Sequence, residues 1–148
     1  MKAASLPVRF APLQQEFRAE LIAIADWWAA HAVDHEQGGF YGEIKADNMP
    51  VKNASKGIIL NARILWFFSE AAQEVDSLVY RTCAVRAYEY LLAHFIDKEQ
   101  GGVYWELDAT AVPINTKKQV YAQAFTIYAL CAYYQLTHDQ QALTRALE

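Results

Sequence analysis

The chain combines 148 residues with a hydrophobic fraction of 54% and a formal net charge of -4 at pH 7. That much apolar material is enough for a packed core and excludes an intrinsically disordered chain. The acidic balance, with no basic run in the sequence, also makes nucleic acid and anionic membrane surfaces poor partners.

The apolar segments indicate neither export nor membrane insertion. The longest of them fall well short of the ~20 residues that a membrane-spanning helix needs. Residues 1–12 lack the long apolar region of a signal peptide. We therefore expect a cytoplasmic protein with no membrane partner. No Cys-x-x-Cys or other metal-ligand spacing is present in the sequence, so no metal site is predicted.

The first predicted elements form a unit of two helices joined by a strand and a turn. Apolar residues spaced three and four apart predict a helix over residues 12–32. A Gly-Gly pair then breaks the helix, and residues 40–44 alternate enough to suggest a short strand before a turn. The second helix, predicted over residues 56–73, is apolar nearly all round and is therefore expected to be buried on most sides.

The same order of elements is repeated along the chain, as helix 77–95, strand 103–107, helix 118–137 and a further helix from about Asp139. Residues 34–44 (DHEQGGFYGEI) and 97–107 (DKEQGGVYWEL) share seven of eleven residues at an offset of 63. Further on, an offset of 62 pairs Lys56 with Lys118 and Trp66 with Tyr128. A period of this size is typical of a repeat protein.

The repeat also predicts how the helices are layered. A helix pair cannot bury its apolar face alone and needs neighbouring pairs. Because the second helix of each pair is the more apolar one, we expect an inner ring of helices surrounded by an outer ring. Two pairs do not close such a ring, since six pairs of about 62 residues would need roughly 370 residues.

Two further segments are distinctive. Residues 56–69 are KGIILNARILWFFS, and residues 116–134 are TKKQVYAQAFTIYALCAYY. Together with the two repeat motifs, they resemble the N-acylglucosamine 2-epimerase superfamily, and most closely its cellobiose 2-epimerase branch. The resemblance implies an all-α fold, an (α/α)6 barrel with short β-hairpins between outer and inner helices. Residues 1–148 would then be the N-terminal part of one barrel domain, with two helix hairpins and the start of a third.

The resemblance also implies an activity and a site. Its members are isomerases that epimerise C2 of the reducing-end sugar in a mono- or disaccharide, with no metal or organic cofactor. The arginine of NARILW, Arg63, would bind the substrate in the central cavity, and the tyrosine of KKQVYAQAF, Tyr121, would line it. The acid/base histidines of the family lie on later inner helices, beyond Glu148, so we expect no catalysis by this chain alone.

The chemistry of epimerisation favours Arg63 independently. Removal of the C2 proton beside an open-chain aldehyde leaves an enediolate whose negative charge is shared by O1 and O2. A guanidinium suits this charge because its fork reaches two adjacent oxygens and stays protonated. Arg63 stands in an otherwise apolar helix, where a charge is costly unless it is paired or faces a wet cavity. We predict that Arg63 is catalytic, with a structural ion pair as the alternative.

The repeat places both predicted site residues on the inner face. Position 63 corresponds to Phe125 in the second unit, and Tyr121 corresponds to Ile59 in the first. Positions 59 and 63 are one helical turn apart, as are 121 and 125, so all four side chains project from equivalent faces. The scaffold therefore does not itself require an arginine or a tyrosine there. The alternative for Tyr121 is a buried structural tyrosine with a satisfied hydroxyl.

The four histidines are predicted to be structural. His31 and His94 occupy equivalent positions near helix ends, and His138 also falls at a helix end, where histidine favours the helix dipole and caps carbonyl groups. His35 lies in a loop and is matched by Lys98.

The carboxylates that recur in both units allow alternative functions to be considered. A pair of carboxylates could belong to a glycosidase, but structural roles in the turns are favoured for the repeated residues Asp34, Asp97, Glu43 and Glu106. A glycoside hydrolase or an aldose–ketose isomerase on the same toroid remains an alternative function. The other alternative is a non-catalytic, truncated helical-repeat module, and the open edge of the toroid would favour self-association.

Overall fold

The computed structural model describes residues 10–148, which fold into five α-helices and a small antiparallel sheet. Residues 1–9, which hold most of the segment inspected for a signal peptide, lie outside the described residues. The predicted helices are confirmed as α1 (Ala11–His31), α2 (Ile58–Glu74), α3 (Leu78–Tyr90), α4 (Val120–Thr137) and α5 (Gln140–Leu147). Within residues 10–148, none of them is long and apolar enough to cross a membrane.

The helix ends follow from local side chains. The hydroxyl of Ser77 accepts a backbone N–H at the start of α3, and the carboxylate of Asp139 does the same for α5. The helix α4 ends at His138, whose left-handed backbone, with a φ of 58°, cannot continue it. The π-helical turn Leu91–Phe95 that prolongs α3 was not predicted, because apolar spacing does not distinguish a π turn from an α turn.

The helices form two layers. The inner layer consists of α2 and α4, which pack side by side. The outer layer contains α1, α3 and α5, with α3 packed on α2 and α5 packed on α4. This arrangement confirms the predicted inner and outer layers, but each inner helix packs mainly on the outer helix that follows it in the chain, not on the one that precedes it in its own unit. The core between the layers contains fully buried side chains from both units, among them Phe40, Ile58, Leu65, Phe68, Leu91, Phe95, Leu107 and Leu130.

The helix α4 is less buried than its apolar sequence predicted. Val120 is 84% exposed, Tyr121 and Tyr128 are each 55% exposed, and Ile127 is 46% exposed. The helix α2 is flanked by α3 and α4, whereas one face of α4 has no neighbour within residues 10–148. The apolar residues of a helix show which of its faces can be buried. How much of that face is buried depends on the helices that pack against it.

The prediction of a strand over residues 40–44 is wrong. The first unit has only isolated bridges there, which join Val33 to Phe40 and Ile44 to Pro50. The chain passes so close to the Ser55 carbonyl that a Cβ added at Gly42 would lie 1.8 Å from its oxygen.

The second unit keeps a shorter strand than predicted, and its sheet joins the two units. The strands are β1 (Lys56–Gly57), β2 (Glu106–Leu107) and β3 (Pro113–Asn115), in the order β1-β2-β3 and antiparallel throughout. The hairpin formed by β2 and β3 lies between α3 and α4, as predicted. Because β1 precedes α2, its pairing with β2 ties the first inner helix to the second unit.

The first Gly-Gly turn is organised by a buried aspartate. The Oδ1 atom of Asp34 accepts the N–H groups of Glu36 and Gln37, and its Oδ2 lies 2.7 Å from the Lys56 Nζ. Both side chains of this ion pair are 1% exposed. Burial alone raises the pKa of Asp34, but the N–H of Gln37 and the ammonium of Lys56 outweigh it and hold the pKa below its ordinary value. The predicted structural role of Asp34 is confirmed.

The second turn repeats this arrangement with less burial. The Oδ1 atom of Asp97 accepts the N–H groups of Glu99 and Gln100, and its Oδ2 lies 2.9 Å from the Lys118 Nζ. The hydrogen bond from Lys118 lowers the pKa of Asp97 to about 2. The Lys118 side chain is 32% exposed. In both units the repeated aspartate therefore ties the start of an inner helix to the turn after an outer helix.

Candidate active site

Arg63 lies on the exposed face of the inner layer. It stands in the second turn of α2, and its guanidinium carbon lies 5.3 Å from the centre of the Phe125 ring on α4. No carboxylate within residues 10–148 forms an ion pair with it. The alternative of a structural ion pair therefore finds no support among the described residues. The guanidinium is positioned by an aromatic face and keeps its donors available to a ligand.

Tyr121 is brought to the same ring. It lies in the first turn of α4, and its ring centre is 4.7 Å from that of Phe125. The side chain is 55% exposed, and its hydroxyl makes no hydrogen bond within residues 10–148. A buried structural tyrosine, the alternative left open by the sequence, does not describe this position. Arg63 and Tyr121 thus flank Phe125, and the three side chains form one continuous surface.

Sequence reasoning did not single out two aromatic residues that extend this surface. Trp66 lies one turn after Arg63, and Tyr128 lies one turn after Phe125, with ring centres 5.7 Å apart. The indole N–H of Trp66 is buried and has no hydrogen-bond partner in the described structure. The repeat could have identified both residues, because an offset of 62 residues pairs Trp66 with Tyr128. We call the surface formed by Arg63, Trp66, Tyr121, Phe125 and Tyr128 the Arg63 face.

Arg63 and Tyr121 lie near the N-terminal ends of the two inner helices. Both Gly57 and Gln119, the residues that precede α2 and α4, lack a side-chain hydrogen bond to the helix. Neither helix has an acidic residue in its first turn. The partial positive charge of each helix N-terminus is therefore not offset by a nearby carboxylate of that turn. The guanidinium of Arg63 itself favours an anionic group beside it.

The histidines are not part of this surface. His138 terminates α4, and 17 residues separate it from Tyr121, which corresponds to about 25 Å along a helix. His31 ends α1 with its ring 5.3 Å from that of Trp27. His94 packs on Tyr90, and burial, with Lys56 and Lys98, lowers its pKa, which favours the neutral ring. His94 lies in the last turn of the π-helical segment that ends its outer helix, as expected for a structural histidine.

The remaining repeated carboxylates show no catalytic pairing. Glu106 accepts a hydrogen bond from the Ser55 hydroxyl at 2.5 Å, and Glu43 is exposed. Asp34 and Asp97 are held by lysines in their turns. Within residues 10–148, no three His, Cys, Asp or Glu side chains are grouped closely enough to hold a metal ion.

The helices are arranged as pairs in two layers, and the inner helices carry a guanidinium among aromatic rings. These features define an α/α toroid protein. The chain belongs to the N-acylglucosamine 2-epimerase family, whose model matches residues 18–147. The resemblance and the fold class expected from the sequence are confirmed.

Proteins similar to this chain are longer. A cellobiose 2-epimerase of Bacteroides fragilis is 45% identical over 136 residues, which are 91% of this chain and 35% of that protein. A cellobiose 2-epimerase of Ruminococcus albus is 43% identical over 113 residues, or 76% of this chain and 29% of that protein. The solved structure of cellobiose 2-epimerase from Spirochaeta thermophila matches with a TM-score of 0.84 at 34% identity, covering 95% of this chain and 36% of that one. The chain spans about a third of the length of these relatives.

Proposed function

We propose that this chain is the N-terminal part of an (α/α)6-barrel sugar 2-epimerase. The substrate would be a mono- or disaccharide in the open-chain form of its reducing-end sugar, and the reaction would pass through a C2 enediolate without a metal or organic cofactor. The observation that carries the proposal is the guanidinium of Arg63, which lies on an exposed, aromatic face and has no ion-pair partner within residues 10–148. The names of the relatives, all cellobiose 2-epimerases, support a sugar as the substrate.

In this proposal, Arg63 binds O1 and O2 of the sugar. The two oxygens are adjacent, and two parallel N–H groups of one guanidinium reach such a pair with good geometry. The charge on these oxygens is greatest in the enediolate, so the contact strengthens as the C2 proton leaves. A fixed donor aimed at developing charge lowers the barrier of the reaction rather than only binding the substrate.

Tyr121 and the aromatic rings would orient the sugar. A pyranose or its open chain carries C–H groups on one side that pack well on aromatic faces, while its hydroxyl groups need polar partners. The Tyr121 hydroxyl has no partner within residues 10–148 and is placed to donate or accept one such hydrogen bond. The Arg63 face therefore combines apolar contact with a few oriented polar groups, which is the usual make-up of a small-molecule site.

We further propose that the acid and base come from outside these 148 residues. Proton transfer at C2 needs groups with pKa values near neutrality within hydrogen-bond reach of the substrate, and histidine is the common choice. His31, His94 and His138 lie at helix ends and His35 lies in the first turn, so none of them supports this role. A glycosidase is less well supported, since the described residues place no carboxylate pair on the Arg63 face.

Deuterium exchange at C2 tests the proposed function. The chain alone, incubated with cellobiose or mannose in D2O, should incorporate no deuterium above a protein-free control. A chimera in which the chain replaces the matching 35% of the Bacteroides fragilis enzyme should incorporate deuterium and convert cellobiose to its C2 epimer. Exchange by the chain alone would refute the proposal that the acid and base come from outside these 148 residues. A chimera that is folded by circular dichroism but inactive would instead support the non-catalytic alternative.

The same surface supports self-association of the isolated chain. The exposed apolar residues of α4 are contiguous with the aromatic rings of the Arg63 face, and such a patch tends to drive association. We expect multi-angle light scattering to give a mass above that of the 16.8 kDa monomer at micromolar concentration. Replacing Tyr128 with Ser should shift the distribution toward the monomer, whereas replacing the exposed Arg81 with Ser should not. A monomer for the unmodified chain would contradict the expectation.

A further inference from the structure

The two ends of the inner helices are connected in different ways. Long connections, residues 32–57 and 96–119, lead into α2 and α4, whereas only residues 75–77 and 138–139 lead out of them. Binding residues lie in long connections far more often than in tight turns. A sugar bound in front of the inner helices would therefore enter at their N-terminal ends, near Arg63, and the closed side of the site would lie toward their C-terminal ends.

The Arg63 face has two levels along the helix axes. Arg63 and Phe125 lie in the second turns of α2 and α4, whereas Trp66 and Tyr128 lie in the third turns. The rise of an α-helix places the second level about 4.5 Å further from the N-terminal ends than the first. The Trp66 and Tyr128 rings have centres 5.7 Å apart and planes inclined by 30°. This pair is therefore the surface that a molecule bound to Arg63 meets on the closed side.

Tyr128 is the member of the pair that a ligand can reach, since it is 55% exposed. Trp66 is half-buried against the core, and its indole N–H is shielded from solvent without a hydrogen-bond partner in the described residues. The polar atom of Trp66 is therefore not available to an incoming hydroxyl group. The indole instead supports the Tyr128 ring, whose hydroxyl makes no hydrogen bond within residues 10–148.

The chemistry of the sugar decides which of its ends faces this pair. When Arg63 binds O1 and O2, the C1–C2 end lies at the level of the guanidinium. The rest of the molecule carries a hydroxyl group on nearly every carbon, and in a disaccharide it carries a second ring. These groups need polar partners or water, which the open, loop-bearing end can provide and two aromatic rings cannot. The C1–C2 end therefore points toward Tyr128, and the second ring points toward the loops.

We propose that Tyr128, supported by Trp66, is a substrate-positioning residue that forms the closed end of the site and packs against the C1–C2 end of the sugar. The inference rests on the proposed function and adds the orientation of the substrate to it. The ring limits how far the open-chain sugar can advance, so that C2 stays at the height of Arg63. Mono- and disaccharides present the same carbon atoms at this end, so the contact serves both equally.

Substitutions of Tyr128 in the active chimera test the inference. Tyr128→Ala should lower kcat/KM for C2 deuterium exchange at least about tenfold, because a substrate displaced by about 1 Å reacts much more slowly. The factor should be similar for cellobiose and mannose, with a lower kcat and a raised KM for each. Tyr128→Phe is the matched control, which keeps the ring and should stay close to the unmodified chimera. A loss of folded enzyme alone would lower kcat and leave both KM values unchanged.

The possible outcomes are distinct. Unchanged exchange in Tyr128→Ala, unchanged KM values, or a loss confined to cellobiose would each overturn the inference, the last because the ring would then contact the second sugar. If the alanine variant unfolds, Tyr128→Leu keeps apolar volume against Trp66 but lacks the flat ring, and exchange equal to that of the unmodified chimera would overturn the inference. An unmodified chimera without exchange would overturn the proposed function itself, whereas an active chimera that tolerates both substitutions would overturn only the role of Tyr128.

Discussion

Replacing Arg63 with alanine in the active chimera should lower the rate of C2 deuterium exchange by about 10²–10³-fold, the usual effect of removing one fixed donor to a developing oxyanion. The loss should appear mainly in kcat, because the contact is strongest once charge has developed on the two oxygens. Secondary structure should change little, because the Arg63 side chain is exposed and has no ion-pair partner within residues 10–148. Stopped time courses read by NMR give the rate.

The matched control is Arg81→Ala. Arg81 is an exposed arginine on α3, loosely paired with Asp76 at 4.0 Å, and its removal should leave exchange unchanged. Arg63→Lys should recover part of the activity, since an ammonium keeps the charge but loses the two-pronged contact. If Arg63→Ala retains activity within tenfold of the unmodified chimera, Arg63 is not part of the mechanism.

Replacing Lys56 with methionine should destabilise the chain by about 3–5 kcal/mol, the range for removing one partner of a buried ion pair. Methionine keeps most of the side-chain volume, so the loss comes from the Asp34 carboxylate, which stays buried without its cation. Lys118→Met is the matched control in the second unit and should cost clearly less, because that pair is partly exposed. Urea unfolding monitored by circular dichroism measures both.

Equal losses for the two variants would show that the deeper burial of the Lys56–Asp34 pair does not make it stronger than the Lys118–Asp97 pair. A loss for Lys118→Met that exceeds that for Lys56→Met would argue that the second turn contributes more to stability than the first.

The helices and their layers followed from the sequence because periodic apolar residues report directly on a buried face. The repeat added the register, which is why structural roles could be assigned to Asp34 and Asp97 from the sequence. The strand over residues 40–44 could not be judged in this way. In this segment, Gly42 approaches the Ser55 carbonyl closely, a long-range contact that local alternation does not encode.

The candidate site was only partly accessible from sequence. The repeat showed that Arg63 and Tyr121 depart from their counterparts on equivalent faces, but the contacts of both with Phe125 required the packing of α2 on α4. The exposure of Tyr128 depended on which neighbours the helix has, and periodicity carries no information on neighbours. The residues that would transfer protons were not identified, since none of the four histidines is placed for that task.

The small sheet has a consequence for how the chain folds as it is made. The first backbone donor of α2, the N–H of Ile58, is satisfied by the Trp105 carbonyl, 47 residues later in the chain. Lys56 and Gly57 likewise pair with Leu107 and Glu106. During synthesis, the start of α2, the helix that bears Arg63, therefore cannot form these contacts until the following unit has left the ribosome. The first unit is thus completed by contacts with its neighbour in the repeat, the kind of interface on which the stability of repeat proteins depends.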